Sequence, residues 1–222
     1  MENLKQIEKE MEHNFKIAQS EKELAERLKI NAKVEIKKAK ARETLQKIEF
    51  DLADIKNDLA LKRKLLAKQK AQIKKENILD FSDDELKIEN NYAVYNEQIS
   101  KNQKEIASIN KKIAVAEKEI AEQKLKLSKE RLDVAKAREK LANAQNKYLK
   151  IARGQAPENK ILNMKKNLEN ETKKLLKQKD DVIDQEKDVR KKENKLADLK
   201  KELSFKIAER EKIRHPGVIL AG

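Results

Sequence analysis

Apolar residues recur along this chain at seven-residue spacing in three long runs. The longest is Tyr92, Ile99, Ile106, Ile113, Ile120, Leu127, Val134, Leu141 and Tyr148. A second runs through Ile161, Leu168, Leu175, Val182, Val189, Leu196 and Leu203. A shorter one, Leu45, Leu52, Leu59, Leu66 and Ile73, is helped by Ile48 and Ile55. A repeat of seven falls slightly short of two turns of a straight α-helix, so keeping it in phase implies a left-handed supercoil against a partner. A disordered chain has no reason to hold that phase, and the periodicity outweighs the high charge that would otherwise suggest disorder. Ile30, Ala32, Val34 and Ile36 alternate with polar residues as a strand would, but a lone strand has nothing to pair with, and the helical context prevails.

Three places break the helical pattern. In NILDFSDDEL, Ser82 and Glu85 have the spacing of a capping box, and Phe81 and Leu86 that of a hydrophobic staple. Asp83 and Asp84 add negative charge to the first turn, where the helix dipole favours it. Gly154 and Pro157 mark a second corner, and Pro216 and Gly217 a third break. The pattern predicts helices over 2–77, 83–153 and 158–213, roughly 115, 105 and 85 Å long. The expected fold is all-α, an elongated antiparallel coiled coil. Residues 1–213 would form one helical unit, and 214–222 a short non-helical apolar tail.

Short corners make consecutive helices antiparallel neighbours. Around the second corner, Tyr148 then lies opposite Ile161 and Ile106 opposite Leu203. Around the first, Leu66 lies opposite Tyr92 and Leu45 opposite Ile113, with the second helix in the middle. The seam is expected to centre on Ile99, Ile106, Ile113 and Ile120, with Leu168, Leu175, Val182 and Val189 on the third helix. Its other heptad position is polar, with Asn102, Gln123 and Glu130 on one side and Glu171, Gln178, Gln185 and Lys192 on the other. Each seam residue contributes about 1.5–3 kcal/mol when fully buried, against an ordering cost of about 1–2 kcal/mol per backbone residue. So thin a seam predicts that further helices, from this chain or from copies of it, complete the burial. A line of small residues, Ala93, Ser100, Ala107, Ala114, Ala121, Ser128, Ala135 and Ala142, offers a second face for close helix packing.

Composition supports the same reading. Charged residues are 42% of the 222-residue chain and aromatics 3%, with three glycines and two prolines, too few for an ordinary globular domain. Cysteine is absent, which excludes a disulfide framework. The charged start MENLKQIEKEMEH has no signal-peptide core, and no stretch approaches the roughly 20 apolar residues of a membrane span. A cytoplasmic protein is expected.

Net charge is +14, and residues 124–179 supply +11 of it. The second corner therefore forms a basic tip, including Lys136, Arg138, Lys140, Lys147, Lys150, Arg153, Lys160, Lys165 and Lys166. Such a cluster attracts a polyanion or an anionic membrane surface. Sequence-specific nucleic-acid binding is not expected, since Tyr148 is the sole aromatic residue in that segment and no recognised binding motif occurs. The run 62–75 is locally +7 but faces Asp83, Asp84, Glu85, Glu89 and Glu97 across the first corner.

No catalytic, metal or cofactor residues are expected. His13 and His215 are far apart in sequence, and there is no Gly-rich phosphate loop and no nucleophile–base arrangement. The tail residues Val218, Ile219 and Leu220 are assigned to self-association, by insertion into a neighbouring copy; the alternative is that they plug the bundle's own end near Ile78, Leu79 and Phe81. The expectation is a non-catalytic structural coiled coil that assembles with copies of itself. Three long antiparallel helices with a basic corner also resemble the layout of BAR domains, and a long hairpin followed by a further helix is similar to ESCRT-III-type proteins. That resemblance, of layout without a shared motif, implies binding or remodelling of anionic membranes.

Overall fold

The computed structural model describes residues 2–76, 82–154 and 156–214. They form three helices, α1 (Glu2–Lys75, 74 residues), α2 (Asp83–Arg153, 71 residues) and α3 (Glu158–Arg214, 57 residues). The all-α expectation holds, and the helix bounds agree with the periodicity to within two residues. Asn77, Ile78, Leu79, the staple residue Phe81 and the tail residues Val218, Ile219 and Leu220 lie outside the described residues.

The helix ends follow from local chemistry. The Ser82 carbonyl accepts the Leu86 N–H at 3.1 Å, the first bond of α2, and Asp83, Asp84 and Glu85 fill its first turn. At the far end the Gly154 N–H donates to the Lys150 carbonyl at 3.1 Å, and Lys150 and Arg153 place positive charge in the last turn. A Cβ at position 154 would come within 3.2 Å of that same carbonyl oxygen, so a residue without one suits the corner. The Pro157 carbonyl then accepts from the Lys160 and Ile161 N–H groups at 2.9 and 3.3 Å and opens α3.

The helices contribute to two compact units, Met1–Lys37 with Glu119–Glu193, and Lys38–Lys118 with Asn194–Gly222. In the first, Val134, Ala137 and Leu141 of α2 cluster with Leu175 of α3, and Leu168 and Val182 pack against them. Arg131 pairs with Glu186 at 2.8 Å, Lys124 with Glu193 at 3.1 Å, and Lys192 with Glu119 at 2.9 Å. Gln123 Nε2 donates to Gln185 Oε1 at 2.7 Å, so two polar seam positions satisfy each other. These ties are antiparallel and match the register that sets Tyr148 opposite Ile161. On the α1 side, Arg138 Nε and Nη2 donate to the two Glu21 carboxylate oxygens at 2.9 Å each, and Arg153 binds both oxygens of Glu8 at 2.7 and 3.1 Å.

In the second unit the same two interfaces recur with different chemistry. Arg42 pairs with Glu117 at 3.0 Å, Lys118 with Glu43 at 2.9 Å, Lys70 with Glu89 at 2.8 Å and Lys74 with Asp83 at 2.6 Å; Lys64–Glu97 and Lys104–Asp54 are further ion pairs. They set a register in which Ala67 stands level with Ala93, two residues from the alignment expected to place Leu66 opposite Tyr92, and they pair Lys64, Lys70 and Lys74 of the 62–75 run with Glu97, Glu89 and Asp83. Lys206 of α3 pairs with Glu105 at 2.7 Å, and the Asn102 amide donates to the Lys206 carbonyl at 3.2 Å.

The face of α1 that meets α2 differs from the sequence-based expectation. Ala18, Ala25, Ala32, Ala39, Ala53, Ala60 and Ala67, one every heptad with Gln46 at the missing place, are buried. On α2 the line Ala93, Ser100, Ala107, Ala114, Ala121, Ser128, Ala135 and Ala142 is buried as well. Within the first unit the ion-pair register brings Ala25 level with Ala135 and Ala18 level with Ala142. Within the second it brings Ala53 level with Ala107 and Ala67 level with Ala93. Small side chains on both sides let two helix backbones approach closely, since interaxial distance follows the side chains at the contact. Leu45, Leu52, Leu59 and Leu66, read from sequence as the α1 seam, are instead 49–52% exposed. A leucine there would hold the backbones apart, and matched alanines exclude it.

Candidate interaction surfaces

Three surfaces stand out. The first is the basic corner of the unit formed by Met1–Lys37 and Glu119–Glu193. Lys136, Lys140, Lys147, Lys150, Lys160, Lys165 and Lys166 are exposed at or near the α2–α3 corner, as the sequence suggests. Lys136 is spanned by Asp133 one turn away at 3.0 Å. The two arginines of the expected tip behave otherwise. The Arg138 side chain is 12% exposed, bound to Glu21 and, through Nη1, to Asn14 Oδ1 at 3.4 Å; Asn14 Nδ2 in turn donates to Gln145 at 3.1 Å. Arg153 is held by Glu8. Its hydrogen bond to that carboxylate raises the guanidinium above its ordinary value and holds Glu8 below the usual carboxylate range. Arg138 and Arg153 thus tie α1 to α2, while the lysines present the charge.

The second surface is an open apolar groove of about 390 Å³ in the same unit. Leu24 and Ala25 of α1, Val134 of α2, and Val182 and Ile183 of α3 line it, with Glu21, Arg131 and Lys179 at the rim. The third belongs to the unit formed by Lys38–Lys118 and Asn194–Gly222. Leu45, Ile48, Leu52, Ile55, Leu59 and Leu66 of α1 are each about half to two-thirds exposed. Phe205 of α3 is 76% exposed. On another side of α1, Lys111 sits 4.7 Å over the Phe50 ring, beside a groove lined by Asn57, Leu61, Lys101 and Ser108.

Of the expected seam residues, Ile106, Ile120, Leu175 and Val189 are buried, while Ile99, Ile113, Leu168 and Val182 are half-buried. The polar seam positions are mixed. Gln123 and Gln185 satisfy each other, whereas Glu171 Oε2, Gln178 Oε1 and Asn102 Oδ1 are enclosed without a hydrogen-bond partner. Gln46 Oε1, in the alanine line of α1, is in the same condition. Sequence reading missed that alanine line, although its seven-residue spacing was there to find. It also missed Glu8 and Glu21, whose neutralising role needs α1 folded back against α2. Among the described residues no helix is long and apolar enough to cross a membrane. No family model, no curated protein and no solved structure matches this chain.

Proposed function

We propose that the protein is a non-catalytic, cytoplasmic structural coiled coil that assembles with copies of itself into a filament, sheath or scaffold. The observation that carries this reading is the row of large aliphatic side chains left half-exposed on α1 from Leu45 to Leu66. A contiguous exposed apolar face of that kind marks an interaction surface. Sedimentation equilibrium of the full chain over a hundredfold concentration range tests it: mass should rise with concentration, and negative-stain images should show extended assemblies. A constant monomer mass would refute it.

A second reading, binding to an anionic membrane surface, is favoured by the seven exposed lysines around the α2–α3 corner. Clustered basic charge near a bilayer contributes about 1 kcal/mol per lysine or arginine and is weakened by salt. Co-sedimentation with phosphatidylserine vesicles at low and high salt separates the two. Salt-sensitive pelleting with vesicles, from protein that stays monomeric without them, would replace the first reading by the second. The tail residues Val218, Ile219 and Leu220 belong to the first reading as a further self-association element. Deleting 216–222 should reduce higher assembly while helicity is kept.

A further inference from the structure

We propose that Leu45, Ile48, Leu52, Ile55, Leu59 and Leu66 form a coiled-coil seam that takes the same seam of a second copy of this chain, parallel and in register. The inference rests on the self-association proposed above and names the surface and orientation that produce it. From Leu45 to Leu59 the residues follow each other at alternating intervals of three and four, and Leu66 stands seven beyond, the spacing of a two-position heptad seam. This is a different face of α1 from the alanine line that meets α2, roughly 130° further around the helix. The seam spans three heptads, about the length at which such a pattern specifies a coiled coil. It stops N-terminally because Lys38 and Asn31 take the leucine position there.

The flanking charges choose the occupant. Asp51, Lys56, Asp58 and Arg63 border the seam and are exposed. Among the described residues Asp51, Lys56 and Arg63 make no ion pair within the chain, whereas Arg42 and Lys70, at the same heptad position as Lys56 and Arg63, are turned to Glu117 and Glu89 of α2. In a parallel, in-register pair each residue preceding the leucine position meets the residue five further along on the other helix. Asp51 then meets Lys56 of the second copy and Asp58 meets Arg63 of the second copy, and symmetry repeats both. An antiparallel pair sets like flanks against each other and brings Asp51 towards Asp58 of the second copy. Asp58 also lies near enough to Lys104 to favour its charged form, so it serves both contacts. Lys62 occupies the seam position after Ile55. Its stem can lie along the leucines with the amine at the edge, and it weakens the contact.

The chain has no cysteine, so single-cysteine variants report orientation without background. Full-length protein would be studied by sedimentation as wild type, as Leu52→Glu/Leu59→Glu and as Lys62→Leu. Mild oxidation would be applied to Leu45→Cys and Leu66→Cys separately and mixed. The double glutamate variant should lose at least tenfold in self-association with its helical circular dichroism unchanged, and Lys62→Leu should gain several-fold. Each cysteine variant should link to itself. Linkage confined to the mixture would overturn the parallel arrangement. An oligomeric wild type whose double glutamate variant has the same mass would overturn the seam and leave the proposed self-association standing; a wild type monomeric throughout would overturn both. Loss of vesicle binding in the double variant without a change in mass would overturn the proposal in favour of a lipid surface.

Discussion

The two units solve the same packing problem with different materials. In the unit built from Met1–Lys37 and Glu119–Glu193, Ile120, Val134, Leu141, Tyr148, Leu149, Leu175 and Val189 are all buried. In the unit built from Lys38–Lys118 and Asn194–Gly222, Ile106 and Ile109 are the large apolar side chains that reach that state among the described residues. Its α1–α2 interface is instead laced with lysine–carboxylate and arginine–carboxylate pairs, and its leucines face outward. Half-exposed ion pairs contribute little each, with a median of about 0–1 kcal/mol. One unit therefore carries its own aliphatic core, and the other holds together on close alanine packing and many weak polar ties while keeping aliphatic surface in reserve.

Paired truncations give the largest expected effect. Leu141→Ala should cost about 2–5 kcal/mol of unfolding free energy, and Leu59→Ala, in dilute protein, less than about 1 kcal/mol. Urea titrations followed by circular dichroism compare them directly, and equal costs would erase the distinction between the units. The ion pairs supply a second contrast. Glu21→Gln leaves the mostly buried Arg138 guanidinium without its carboxylate and should cost about 1–3 kcal/mol, while Lys70→Gln in the other unit should cost no more than about 1 kcal/mol. The same titrations measure both.

A gain is expected at Gln46. Its buried oxygen has no partner, and the register brings it level with Ala114, which is 2% exposed. Gln46→Ala completes the alanine line and should stabilise by about 1 kcal/mol, seen as a raised thermal midpoint. The smallest effect is in pH dependence. The folded-state pKa of Glu8 is lowered, chiefly by its hydrogen bond from Arg153, so its contribution is present above its ordinary value of 4.5 and is lost as pH falls through the lowered one. Glu8→Gln should make the fall of thermal midpoint between pH 5 and pH 3 slightly shallower.

Helix bounds, the corner at Gly154 and the register of the α2–α3 hairpin could be read from sequence, and that of α1 on α2 to within two residues. Long apolar residues at fixed spacing leave few ways to fold a chain with so few breakers. The α1 face could not be read in the same way, because Leu45–Leu66 is the stronger hydrophobic signal and alanine the weaker one. What decides the contact is the match in size across it, and that depends on which α1 residue stands level with which on α2. The basic corner was half legible for a similar reason. A count over 124–179 cannot know that Glu21 and Glu8, 117 and 145 residues away from Arg138 and Arg153 respectively, fold back to meet them.

Facing lines of alanine and serine, repeated every seven residues, have a side effect on fidelity. Sliding α1 along α2 by one heptad would restore nearly the same small-on-small contact, so the packing alone is almost blind to such an error. The charged ties break the degeneracy. After a one-heptad slide Arg138 would exchange Glu21 for Leu28, or be left with the Asn14 it already touches, and Lys70 would meet Asn96 or Ser82 in place of Glu89. Ion pairs too weak to hold the hairpin together thereby act as its vernier, selecting one alignment from a ladder of near-equals.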